Sequence, residues 1–243
     1  MQAKSVTAWE IAAMNVLITG ASRGIGLEMV KFGIEQNWRI FACCRHPQQA
    51  DSLLSVAKLA NGRVSVHVVD MDELATIQAL AYELRNEAID ILINNAGVYG
   101  SDNDSFGNVD VQSWINTFQV NSIAPLKVSE ALIEQLRMGN KKIIACMSSK
   151  MGSMDDNGSG GCYIYRSSKA ALNAVVKSMS IDLRNDGIKC VALHPGWVRT
   201  DMGGPNAEIS TRESVTSLFK ILLSLKPEDS GRFIDIDGSD IPW

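Results

Sequence analysis

A chain of 243 residues, 46% hydrophobic and 21% charged, has the composition of an ordinary soluble domain and the length of one α/β unit with a full core. Its formal charge of −4, well mixed along the chain, argues against the broad basic face that nucleic acid needs, and the composition argues against a membrane protein. The five cysteines, at 43, 44, 146, 162 and 190, show neither metal-ligand spacing nor a disulfide framework, so a reducing, cytoplasmic setting is expected, with the thiols as small apolar filler.

The opening stretch "MQAKSVTAWEIAAMNVLITG" carries one early lysine, but Glu10 and Asn15 interrupt its apolar run, so no signal-peptide core is expected. Residues 1–13 match no element of the fold and are read as an N-terminal extension; 14–243 are read as a single domain. From residue 15, short β-branched runs alternate with stretches of helical period, the pattern of βαβ units. Strands are expected at "NVLIT", "WRIFAC", "RVSVHVV", "DILIN", "KKIIACM", "IKCVAL" and "RFIDI". Among about six helices are "GLEMVKFGIEQN", "DELATIQALAYEL", "VSEALIEQLRM" and "AALNAVVKSMSIDLRN". "GSMDDNGSGG" reads as a loop, and Ser210 with Glu213 has the spacing of a capping box opening the last helix. The expected fold is a Rossmann-type, doubly wound α/β domain: a seven-stranded, mainly parallel sheet with helices on both faces.

"TGASRGIG", residues 19–26, follows the first strand and opens the first helix. Gly20, Gly24 and Gly26 suit a tight turn against a pyrophosphate, with Ser22, Arg23 and Ile25 in the same turn and free helix N–H groups facing the anion. After the second strand the chain reads "ACCRHP", with no acid before Asp51 to hold a free ribose 2′-hydroxyl. Arg23 and Arg45 instead offer two guanidinium groups for a 2′-phosphate, so NADP(H) is expected rather than NAD(H).

"CYIYRSSKAAL", residues 162–172, holds two tyrosines and a lysine. Side chains four apart share a helical face, so Tyr165 and Lys169 are neighbours while Tyr163 points elsewhere. An unperturbed phenol, with a pKa of about 10, is a sluggish acid near neutrality, and a nearby ammonium stabilises its phenolate. His194 has no nucleophile elbow beside it, and neither do His46 and His67, so hydrolase chemistry is not expected.

The series "TGASRGIG", "VVDMD", "INNAG", "VNS", "MSS", "YRSSK" and "HPGWVRT" resembles the ordered motifs of the short-chain dehydrogenase/reductase family, over residues 15 to about 240. The stretch "SMSIDLRNDGIKCVALHPGWVRTDMGG" and the ending "GRFIDIDGSDIPW" look like the branch that holds C-factor-like proteins and Sniffer-type carbonyl reductases. The resemblance implies that Tyr165 is the general acid and that Lys169 lowers its pKa and binds the nicotinamide ribose. It implies that a serine holds the substrate carbonyl and that Asn121 holds a water relaying protons to Lys169 and Tyr165.

Ser149 is chosen for that serine, with Ser148 as the other candidate. It precedes Tyr165 by 16 residues, against a family spacing of about thirteen, so the loop between them is longer here. By the same resemblance Asn94, Ala96 and Gly97 pack against the cofactor and Asp70 contacts adenine. Thr200 bonds the carboxamide, and Pro195, Gly196 and Val198 shape the turn beneath the ring. Only nine residues separate Thr200 from the last helix, so a small lid and an open pocket for varied aldehydes and ketones are expected. Trp197 and Trp243 are candidates for that pocket or for packing. Family members pair helices like 110–137 and 162–185, implying a homo-oligomer, dimer or tetramer. C-factor-like relatives leave a second class open: a signalling protein that binds NADP(H) with little turnover.

Overall fold

The computed structural model describes residues 14–101 and 104–243; the N-terminal extension lies outside the described residues. The aliphatic runs form β1 (Asn15–Thr19), β2 (Arg39–Cys44), β3 (Val64–Val68), β4 (Ile91–Asn94), β5 (Ile143–Met147), β6 (Lys189–Leu193) and β7 (Phe233–Ile234). They join one sheet in the order β3-β2-β1-β4-β5-β6-β7, every pair parallel. The last strand is shorter than "RFIDI" suggests, because Asp235 N–H donates to Ser239 O at 2.8 Å and turns the chain back on itself.

Eight α-helices cross over these strands among the described residues: α1 (Gly24–Glu35), α2 (Asp51–Leu59), α3 (Leu74–Glu83), α4 (Val111–Phe118), α5 (Ala124–Ala131), α6 (Ile133–Met138), α7 (Tyr163–Asp182) and α8 (Thr211–Ser224). That is more than expected. "VSEALIEQLRM" breaks at Leu132, whose φ of −102° and ψ of 16° leave helical geometry. α4 runs into a wide π-type turn at Gln119–Ile123 before α5 begins. The capping box forms as its spacing predicts: Ser210 Oγ accepts from Glu213 N, and the Glu213 carboxylate accepts from Ser210 N–H at 2.8 Å. None of these helices is long and apolar enough to cross a membrane.

Both faces of the sheet are covered, and strand side chains divide between two cores with a period of two. Val16 and Ile18 of β1 pack toward one side with Met29, Trp38 and Phe219. Leu17 packs toward the other with Leu80, Val128, Leu172 and Val176. β5 repeats the alternation, sending Ala145 to the first core and Ile144 and Cys146 to the second. Strand order reverses between β1 and β4, which leaves a crevice beyond their C-terminal ends where the crossovers depart in opposite directions.

Candidate active site

A cleft of about 340 Å³ occupies that crevice. The turn after β1 forms one wall, with Gly20, Ser22, Arg23, Gly24, Ile25 and Gly26 all bordering it. Gly20 takes φ +67°, a left-handed conformation that suits glycine. A Cβ on Gly26 would stand 2.3 Å from Gly20 O, so only glycine lets α1 start this close to the turn. Arg23, at the start of α1, makes no side-chain cap, leaving first-turn N–H groups available to an anion. Arg45 and Asp70 border the cleft from the ends of β2 and β3. Asp70 Oδ1 also accepts from Asp72 N–H at 3.1 Å. Arg23 reaches across to Asp201, 3.1 Å away, with both side chains largely exposed.

The end of β4 departs from expectation. Asn94 is buried away from the cleft, its Nδ2 facing Ser129 Oγ at 3.2 Å and Pro125 O at 3.4 Å. Its neighbour Asn95 takes the place expected for it, because successive strand residues face opposite sides. Asn95 Nδ2 donates to Thr19 O at 2.9 Å and to Gly20 O at 3.2 Å. Thr19 Oγ1 in turn accepts from Asn95 N and Ala96 N. These bonds clamp the glycine turn to β4, and Ala96 and Gly97 border the cleft beside it.

Tyr165 and Lys169 lie one turn apart near the start of α7, 8% and 4% exposed. Lys169 Nζ stands 5.6 Å from the centroid of the Tyr165 ring and donates to Met147 O at 2.7 Å. Burial pushes the phenol up to about 12, opposed by a hydrogen bond from Ser149. Burial pushes the lysine down to about 8, opposed by Cys146. The lowering expected from Lys169 is not seen: desolvation dominates, and the phenol holds its proton.

The two serines part company at the end of β5. Ser148 Oγ donates to Asn173 Oδ1 at 2.6 Å in the core. Ser149 Oγ accepts from Met151 N–H at 3.2 Å, and its own proton is left to face the Tyr165 hydroxyl. Asn121 sits in the π-type turn and is fully buried. Its Oδ1 accepts from Val98 N at 2.9 Å, and its Nδ2 donates to Val98 O at 2.8 Å and Ser168 Oγ at 3.0 Å. Both side-chain donors are therefore spent on protein, and they tie the loop after β4 to α7. Gly97 fits between: a Cβ there would be 3.2 Å from Asn121 Oδ1 and 3.5 Å from Lys169 Nζ.

A second, larger cavity of about 750 Å³ meets the cleft at Tyr165, which borders both. Pro195 and Thr200 border both spaces, while Gly196 and Val198, expected at the cofactor, border only the second, because the chain after β6 turns away from the cleft. Trp197 borders it as well, whereas Trp243 packs on Phe233 with ring centroids 5.7 Å apart. Tyr99, not singled out by any motif, stacks on Tyr165 at 4.7 Å and 26°. Its hydroxyl lies 3.3 Å from Cys162 Sγ.

Comparison with known proteins agrees with this architecture. Residues 14–210 match the family described as short chain dehydrogenase. The chain is 46% identical over 167 residues to the C-signal protein of Myxococcus xanthus, covering 69% of this chain and 100% of that protein. Among solved structures it superposes on the carbonyl reductase Sniffer of D. melanogaster with a TM-score of 0.89 at 31% identity, covering 95% of this chain and 100% of that one. For the NADPH-bound carbonyl reductase from chicken fatty liver the TM-score is 0.87 at 32% identity, covering 95% and 99%. With its glycine turn, parallel sheet and Tyr165–Lys169 pair, the chain belongs to the short chain dehydrogenase family.

Proposed function

We propose that this protein is an oxidoreductase that reduces aldehyde and ketone carbonyls with NADPH. One observation carries the reading: Tyr165 borders both the cleft and the larger cavity, so the acid of the Tyr165–Lys169 pair stands where the two spaces meet. The glycine turn, clamped by Asn95 and open at the start of α1, fits a pyrophosphate, and Arg23 and Arg45 fit a 2′-phosphate. Likeness to an NADPH-bound carbonyl reductase supports the same cofactor. Bound NADPH would supply a hydride to the carbonyl carbon.

The protein supplies the proton and the geometry. Ser149, whose proton faces the Tyr165 hydroxyl, turns it to the carbonyl oxygen when substrate binds and fixes that oxygen's position. Tyr165 is protonated at neutral pH, so it can hand its proton to that oxygen as negative charge builds there. The phenolate left behind is stabilised by the nearby Lys169 ammonium. Ala96, Gly97, Asp70, Pro195 and Thr200 would hold the cofactor along the cleft, and Asn121 would hold the loop that carries Gly97.

Following NADPH oxidation across aldehydes, diketones and quinones, with NADH in parallel, tests the reading. We expect Tyr165→Phe to lower kcat by about 10²- to 10⁴-fold while NADPH still binds. Turnover undiminished in that variant would remove Tyr165 from the chemistry, and a preference for NADH would overturn the assignment of Arg23 and Arg45. The 46% identity to C-signal supports a second reading, a signalling role resting on NADP(H) binding. It predicts that Tyr165→Phe keeps the biological output while disruption of the glycine turn abolishes it.

The five free cysteines, four of them buried, support a reducing, cytoplasmic setting. Exposed Val111 and Ile115 on α4 and Ile181 on α7 support pairing of two or more chains, which sedimentation velocity would test.

A further inference from the structure

The larger cavity bears on which carbonyl compounds the protein takes, an inference that rests on the reductase reading. Its wall carries two cations, Lys150 and Arg166, and one acid, Asp156. Among the described residues the ion pairs of Lys150 are long, 4.0 Å to Asp156 and 3.9 Å to Asp235, so the acid in the wall is already turned toward it. Arg166 follows Tyr165 directly in sequence and is partly buried. Its Nη1 and Nη2 donate to Met151 O at 3.3 Å and to Ser159 Oγ at 2.8 Å, and its Nε has no partner. None of its hydrogen-bond partners among the described residues is a carboxylate.

A guanidinium offers five N–H donors, and a partly desolvated one without a counter-ion is unfavourable unless something else supplies the negative charge. Arg166 borders the same cavity as Tyr165 and the Tyr99 ring stacked on it, so the cation shares a wall with the proposed reacting centre. Tyr99, Met151 and Trp197 give the rest of the wall an apolar character that suits an organic body between carbonyl and anion. We propose that the carbonyl substrate carries a carboxylate, read by Arg166 with Lys150 beside it.

Two matched pairs test this: 4-carboxybenzaldehyde against methyl 4-formylbenzoate, and phenylglyoxylate against its methyl ester. The esters are intrinsically the more electrophilic carbonyls, so any preference for the acids comes from the protein. We expect kcat/KM for at least one acid to exceed that of its ester by tenfold or more, through KM. In Arg166→Gln that ratio falls toward one, and Arg166→Lys restores part of it. Because Arg166 also pins the loop at Met151 and Ser159, its loss can lower both members of a pair together, so the ratio is the readout. Esters turned over as well as acids by the parent protein, or a ratio unchanged in both Arg166→Gln and Lys150→Gln, would overturn the proposal.

If no carbonyl is turned over, the reductase reading has failed and the anion site is measured alone. 4-(Hydroxymethyl)benzoate and its methyl ester are then titrated into the NADPH-saturated protein by calorimetry. Tighter binding of the anion by the parent but not by Arg166→Gln supports the site, and equal binding rejects it.

Discussion

Lys169 has its ammonium in the core, held by Met147 O and pushed down to about 8 by burial. Between that value and its ordinary one the unfolded chain binds more protons than the folded chain, so this group makes stability rise with pH across that window. Its proposed function runs the other way. The phenol stays protonated well above neutrality, so Lys169 is the first of the pair to change state as pH rises, and with its proton goes the charge that stabilises the phenolate. We expect kcat/KM for reduction to fall as pH rises through about 8, and a profile flat to pH 10 would remove the lysine's charge from the mechanism. Asn121 acts through contacts instead. Asn121→Ala would remove the hydrogen bonds to Val98 N–H and C=O and to buried Ser168 Oγ, and should lower unfolding free energy by about 1–3 kcal/mol, read by urea denaturation.

At the scale of elements, the site depends on how two short segments approach each other. α1 can begin against the turn after β1 only because Gly26 has no side chain to meet Gly20 O. Gly26→Ala should therefore displace the turn from Asn95 and weaken NADPH binding by tenfold or more in a fluorescence titration, while α1 itself, gaining a better helix former, persists in circular dichroism. α8 is anchored by a local device, the Ser210–Glu213 box. Ser210→Ala should cost about 1 kcal/mol and lower Tm by roughly 2–4 °C, with kcat retained. The π-type turn at Gln119–Ile123 escaped the sequence reading, because its width depends on Asn121 being drawn onto Val98 from another part of the chain.

Across the whole molecule, cofactor choice is a matter of which charges the strand ends bring to one crevice. Arg23 is partnered by Asp201 in an exposed pair, a contact worth little in water, whereas no salt bridge holds Arg45 among the described residues. Arg45→Ala should raise the KM for NADPH about tenfold or more and leave the KM for NADH nearly unchanged, since only the former carries a 2′-phosphate. An equal rise in both would place Arg45 outside phosphate recognition.

What the sequence by itself determined is what short-range physics writes into it. Strands appear as β-branched runs, the Tyr165–Lys169 pair as a four-residue spacing, the last helix's start as a capping box, and the phosphate turn as glycines after the first strand. Each depends on residues a few positions apart, whose relative placement the backbone geometry already sets. Only the tertiary structure decided that Asn95 rather than Asn94 borders the cleft and that Ser149 rather than Ser148 keeps its hydroxyl beside Tyr165. It alone stacked Tyr99 on Tyr165 and put Arg166 on the cavity wall with no carboxylate among its hydrogen-bond partners in the described residues. Those outcomes follow from strand pairing, burial and loop closure between segments tens of residues apart, where desolvation and packing outweigh local preference.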